Sequence, residues 1–234
     1  AHKLNNFNMK TNNFILLVAF CIGFVTINYA QRKNYNIKNG FAIGGGLTQF
    51  DIITDNFETK SDTGWLIHMS ATVDIPHKWY NVSYGMQLSE NKMSVNGFAS
   101  ALSSNFEPID YKILTAQVAF LMHAKLAGPY LTLDFGPVLQ YNSDLEFDDE
   151  GQEEWIIAEF DSLLAKDFVD ITNFNVNGAI GLTAGFENFK VRGQYIYGFT
   201  NILGDLNDSN AANFTNKKFK GNQSMLTVAL LITF

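Results

Sequence analysis

The 234-residue chain has one cysteine, Cys21, four prolines, and only 16 lysines and arginines against 23 aspartates and glutamates. A single cysteine rules out a disulfide framework within the chain and a thiolate zinc centre. The formal charge of −7 leaves no basic footprint for nucleic acid. Beyond the first 30 residues no apolar run reaches the roughly 18 residues of a membrane-spanning helix. Helical periodicity is nearly absent there as well. The sequence shows no glycine-rich phosphate loop, no zinc-ligand spacing and no pair of glycosidase carboxylates. No cofactor and no metal are therefore expected.

What the chain does contain begins with Met9-Lys10, an apolar stretch from Phe14 to Ile27, and the small residue Ala30. A short charged start, an apolar centre and a small residue at the cleavage point describe a secretory signal peptide. Residues 1–30 are thus expected to comprise eight upstream residues and a signal peptide, Met9–Ala30, with a single barrel domain over 31–234. Phe20 precedes Cys21 and apolar residues follow it, which excludes a lipidated amino terminus. Removing residues 1–30 takes away Lys3 and Lys10 and moves the formal charge from −7 to −9.

A period of two dominates the rest. It predicts strands over 39–52, 64–75, 79–92, 110–125, 130–142, 172–186, 189–202 and 222–234. Each is long enough to cross a bilayer at a tilt, which takes about 9–11 residues. Connections alternate between short ones, near Pro76, Gly128-Pro129 and Glu187-Asn188, and long ones over 53–63, 93–109, 143–171 and 203–221. Eight strands with strictly alternating short and long turns predict an all-β, antiparallel, up-and-down transmembrane β-barrel.

The two parities differ in kind. From Trp65 onward the greasier parity covers 42 positions, of which only Lys112 is charged. A Lys or Arg at the midplane of a lipid-facing strand costs about 2–4 kcal/mol, which accounts for such a purge. The opposite parity holds Ser70, Thr72, Ser83, Gly85, Gln87, Thr115, Gln117, Gln140, Asn177 and Gln194, small or neutral polar residues. A water-soluble barrel would reverse this arrangement, with lysine and glutamate outside. Here the uncharged polar set suits a narrow lumen filled by side chains. Aromatic residues gather at both strand ends: Trp79, Tyr80, Tyr130, Phe189 and Phe234 at the short turns, and Trp65, Tyr141, Phe174, Tyr197 and Phe199 at the long ones. Two aromatic girdles are expected at the two membrane interfaces.

From about Asn39 to Phe234 the chain resembles the outer-membrane β-barrel family common in Bacteroidetes and often labelled PorT-like. The resemblance is carried by FAIGGGLTQFD, TLDFGPVLQY, NVNGAIGLTAGFENFKVRGQYIYGFTNI and the terminal Phe234. It implies an outer-membrane location and contact with bilayer and lipopolysaccharide. For some members it implies a link to protein secretion or gliding.

Three groups of residues are candidates for function. Asp134, Arg192, Lys190, His123 and Lys125 all take the inward parity near the short turns. Charges sealed in a lumen must be paired, so an ion-pair cluster that plugs the barrel is expected, with a narrow channel as the alternative. His68 and Ser70, two apart on one face, resemble the pair used by barrel lipid A deacylases. An activated serine needs a base within reach and an acid to orient it, and Asp74 lies about 20 Å along the strand from His68, so no enzyme is expected. Finally, 143–171 carries eleven carboxylates against Lys166 alone. It is expected to be a solvated outer loop, divalent-bridged to lipopolysaccharide, or to hold a helix that docks another envelope protein through Trp155, Ile156, Phe160 and Leu164.

Overall fold

A computed structural model describes residues 38–74, 77–100, 105–160, 163–186, 188–208 and 218–234. The expected signal peptide lies outside them. The described residues form β1 (Lys38–Thr54), β2 (Thr59–Asp74), β3 (Tyr80–Phe98), β4 (Glu107–Lys125), β5 (Leu131–Asn142), β6 (Glu146–Phe147), β7 (Ile156–Ile157), β8 (Phe174–Gly185), β9 (Phe189–Gly198) and β10 (Gly221–Thr233). Eight of these close a ring in the order β1-β2-β3-β4-β5-β8-β9-β10 and back to β1, with every neighbouring pair antiparallel. All eight predicted strands are present and the ring is an up-and-down barrel.

Parity sets the two faces. On β2, Trp65, Ile67 and Met69 are exposed while Leu66, His68 and Ser70 are buried. The same holds on β4 for Leu114, Val118 and Phe120 against Thr115, Gln117 and Leu121, and on β10 for Leu226, Val228 and Leu230 against Met225, Thr227 and Ala229. Trp79, Tyr130, Phe189 and Phe234 are exposed at the short-turn end, and Tyr141, Phe174 and Phe199 toward the other. A narrow ring also demands sharp curling. At inward-facing Gly46 and Gly136 an added Cβ would lie 2.0 Å from the Val228 carbonyl oxygen and 1.9 Å from that of Phe120. Only glycine lets neighbouring backbones approach so closely.

The long-loop end departs from expectation. Two connections predicted as 53–63 and 93–109 shrink to 55–58 and 99–106, because β1 to β4 run on beyond the apolar belt. The alternation continues there with its sense reversed. Met93, Val95, Ile109 and Tyr111 point inward and are buried, while Lys60, Asp62 and Asp110 face water. Above the belt the surroundings are aqueous and the enclosed space is the drier one, so the hydrophobic effect sorts side chains the ordinary way. The inward side is therefore hydrophilic along only part of its length.

That upper interior is closed by a folded cap. The expected solvated loop over 143–171 is corrected: its described residues pack as a layer across the barrel mouth, and among the described residues of Trp155–Leu164 there is no helix. β6 pairs with β4 through Tyr111 and Phe147, and β7 pairs with β3 through Gly97–Ile157 and Phe98–Ile156. Ile156 also bridges Leu164, and Trp155 and Phe160 lie half-buried against the core. Apolar residues at these uneven spacings cannot share one helical face, whereas a tight β-like fold buries Ile157, Leu163, Ala165 and Phe168 completely. Phe168 meets Phe57 edge to face at 4.8 Å and Tyr111 at 5.8 Å. The Tyr111 hydroxyl donates to the Ala165 carbonyl at 3.1 Å. Ile202, Leu203, Leu206 and Phe219 complete this layer from the last long connection. The acidic residues stay outside, where Asp148 pairs with Lys92 at 2.9 Å and Glu154 with Lys166 at 2.7 Å.

Candidate functional site in the lumen

Below the cap the lumen is stacked in polar layers. The lowest complete layer centres on Asp134, which is fully buried on β5. Its register partner on β4 is His123. His123 Nδ1 lies 2.7 Å from Asp134 Oδ1, and Thr132 donates to the same oxygen at 2.6 Å. Thr183 donates to Oδ2, and Arg192 Nε stands 3.5 Å from it while donating to Thr183 Oγ1 at 3.0 Å. Three donors and a guanidinium converging on two oxygens are the surroundings of an ionised carboxylate. Arg192 then spans the lumen, its Nη1 3.2 Å from His68 Nε2 on β2.

Above this comes a belt of amides. Gln87 donates to Gln117 at 3.1 Å, Gln117 to Gln140 at 2.6 Å, and Gln140 to Asn142 at 2.6 Å. Gln140 and Gln223 exchange hydrogen bonds across the barrel, and Asn177 donates to Gln140 at 2.7 Å. Asn91 reaches Thr115 at 3.1 Å. Primary amides carry donors and acceptors on one side chain, so they can link strand to strand around the interior without net charge. A pocket lined by His68, Gln87, Gln117 and Gln194 between the ionic layer and this belt has about 10 Å³, at or below the room one water needs.

The five residues expected to form one ion-pair cluster are divided by the structure. Asp134, Arg192 and His123 are brought together. Lys125 instead pairs with Asp74 at 2.7 Å, nearer the short-turn rim. Lys190 lines a cavity of about 670 Å³ at that end and makes no ion pair or hydrogen bond among the described residues. Sequence parity placed all five inside but carried no information on which neighbour each long side chain would reach. His68 belongs with the cluster through Arg192, a contact between residues 124 apart in sequence.

The hydrolase arrangement is not assembled at His68 and Ser70. His68 Nε2 is occupied by Arg192, and Ser70 Oγ, buried, has no partner among the described residues. A different chain resembles a catalytic relay more closely. Ser83 Oγ lies 2.7 Å from His123 Nε2, whose Nδ1 contacts Asp134. Since the carboxylate can only accept, Nδ1 carries the proton, and the Ser83 hydroxyl must donate to Nε2. Ser83 is 3% exposed, however, and does not line the cavity. A nucleophile with no approach for a carbonyl is a structural link, and Ser83 is read as one.

No family model matches the chain, and no curated protein matches it in sequence. Among solved structures, the crystal structure of Neisserial surface protein A matches with a TM-score of 0.50 and 12% identity, over 83% of this chain and 97% of that one. Ail, the attachment invasion locus protein of Yersinia pestis, matches with a TM-score of 0.42 and 14% identity, over 84% of this chain and 99% of that one. At such identities the likeness is one of fold. The described residues have the fold of an eight-stranded outer-membrane β-barrel.

Proposed function

We propose that this chain is an exported outer-membrane protein with a closed lumen, whose role is structural or interactive and is exercised through its cap. One observation carries the reading: a belt of exposed Trp, Phe, Leu, Ile and Val surrounds an interior that holds the Asp134–His123–Arg192 group, linked amides and an apolar lid. So large an apolar surface on a soluble monomer would drive aggregation. In a bilayer it faces hydrocarbon, and lipopolysaccharide would meet the acidic rim. The half-buried Trp155, Ile156, Phe160 and Leu164 form the part of the cap that a second envelope protein would engage. The PorT-like resemblance favours a partner from a secretion or gliding assembly.

The purified 31–234 polypeptide is expected to need detergent to stay monomeric, and to show no conductance in planar bilayers. It is expected to co-purify from native membranes with an envelope component, and to lose it on Trp155→Ser with Glu154→Lys, changes that spare the buried Leu163 and Phe168. A folded monomer in detergent-free buffer would end the membrane assignment. Conductance that responds to Arg192→Ala would favour a channel. A lipid A acyl pattern altered by Ser70→Ala would favour a hydrolase.

A further inference from the structure

The short-turn end of the lumen holds an accessible cavity. Its volume, about 670 Å³, falls in the range of small-molecule sites. Of the acids near it, Asp74 is taken by Lys125 and Asp134 by His123 and Arg192. Lys190, half-buried on the wall, makes no ion pair among the described residues. A partly buried cation without a counter-charge is costly.

A second, independent feature is an unpartnered hydroxyl. Ser70 is 4% exposed, lines the cavity, and its hydroxyl has no partner among the described residues. β2 and β9 run so that Ser70 and Lys190 each lie two residues nearer the short-turn end than His68 and Arg192 respectively. Ser70 and Lys190 both line the cavity on the short-turn side of the contact between His68 and Arg192. Arg192 adds a third donor, since its Nη2 makes no hydrogen bond among the described residues. Leu231 and Pro129 offer an apolar side.

We infer that this cavity binds a small organic monoanion, a carboxylate with a short apolar body. The carboxylate accepts from Lys190 Nζ and the Ser70 hydroxyl, and its apolar part lies toward Leu231. One unpaired ammonium matches one carboxylate and leaves a dianionic phosphate undercompensated. The inference concerns the enclosed end of the barrel and holds whatever partner engages the cap.

Calorimetric titration of the detergent-folded protein tests it, with butyrate, the uncharged butyramide and inorganic phosphate as probes. Butyrate is expected to bind saturably, and butyramide and phosphate are not. Lys190→Met is expected to weaken butyrate by about tenfold or more, and Lys190→Arg to retain it. Ser70→Ala is expected to weaken it by a smaller factor. The shift in gel mobility between unheated and heated samples confirms that each variant is folded. Equal binding of butyrate and butyramide, tighter binding of phosphate, indifference to Lys190→Met in a folded protein, or no saturable binding in the millimolar range would each overturn the assignment.

Discussion

His123 and Asp134 are cross-strand partners whose Nδ1 and Oδ1 atoms stand 2.7 Å apart in the lumen, with Arg192 closing the group from β9. Removing one partner of a buried ion pair leaves the other uncompensated, typically at about 3–5 kcal/mol. Asp134→Ala is expected to destabilise the detergent-folded barrel by about that amount, read as a lowered midpoint of heat- or urea-induced loss of the folded gel band. Replacing both Asp134 and Arg192 by leucine is expected to cost less than the two single changes added together, because no stranded charge remains. Additive losses would mean that the pair does not act as a unit.

The Ser83–His123–Asp134 chain has the hydrogen-bond pattern of a hydrolase relay but no approach to its hydroxyl. A fluorophosphonate probe is expected to leave the folded protein unlabelled, as judged by intact mass. Ser83→Ala is expected to cost about 1–3 kcal/mol of stability, the range for a buried acceptor left unpaired. Labelling that disappears in Ser83→Ala would turn this link into an active site.

Tyr111 ties the cap to the barrel. Tyr111→Phe keeps the ring against Phe168 and strands the Ala165 carbonyl, a loss of about 1–3 kcal/mol. It is expected to speed protease cleavage within 143–171 while the transmembrane part still migrates as folded. Phe168→Ala, which empties a fully buried site, is expected to act more strongly, at about 3–5 kcal/mol. Cleavage at an unchanged rate in both variants would mean that the cap is not held by this layer.

The cap is expected to respond to pH. Burial, and then the neighbouring Glu58, hold the Glu159 carboxyl above its usual range. Because that value is raised on folding, the folded cap takes up its proton first. This contribution to stability therefore increases as pH falls through the folded value and is lost as pH rises through it. Amide exchange over Ile157–Phe160, measured between neutral and mildly acidic pH, is expected to slow on acidification after correction for intrinsic rates. The dependence is expected to flatten in Glu159→Gln; an unchanged pH profile in that variant would remove Glu159 as its source.

Inner-face glycines set the curl of the wall. Gly46→Ala and Gly136→Ala each drive a Cβ into a facing carbonyl and are expected to lower the yield of folded barrel sharply. Gly193, whose Cβ would meet nothing within 4 Å, is the control, and Gly193→Ala is expected to fold normally. Equal yields from all three would show that the backbone can relax around the added methyl.

Strand number, order and the two faces were legible because lipid and lumen impose opposite tastes on alternate residues, so Met69 and Ser70, or Val118 and Gln117, declare their sides. The stretch above the belt was misjudged for the same reason. At Met93, Val95, Ile109 and Tyr111 the period persists while its sense inverts, which a search for greasy-outside alternation reads as loop. The cap was missed because Leu163, Phe168 and Phe57 meet only in three dimensions, and eleven carboxylates nearby signalled solvent. Within the lumen, parity identified Asp134, Arg192 and His123 as inward, but the reach of flexible side chains decided that Lys125 turns to Asp74 and that His68 meets Arg192. Ser83 and the amide belt looked like plain filler; only their cross-strand register shows them as links.

The pairing of β1 with β10 has a kinetic corollary. Until residues 221–233 dock, any partly assembled wall has two raw edges, each offering unsatisfied peptide groups to whatever strand drifts past. The earliest and latest strands must therefore find one another across nearly the whole polypeptide, a slow event. During that wait the protein is vulnerable to fibril-like misassociation, and it needs an escort that shields both borders until the cylinder is sealed.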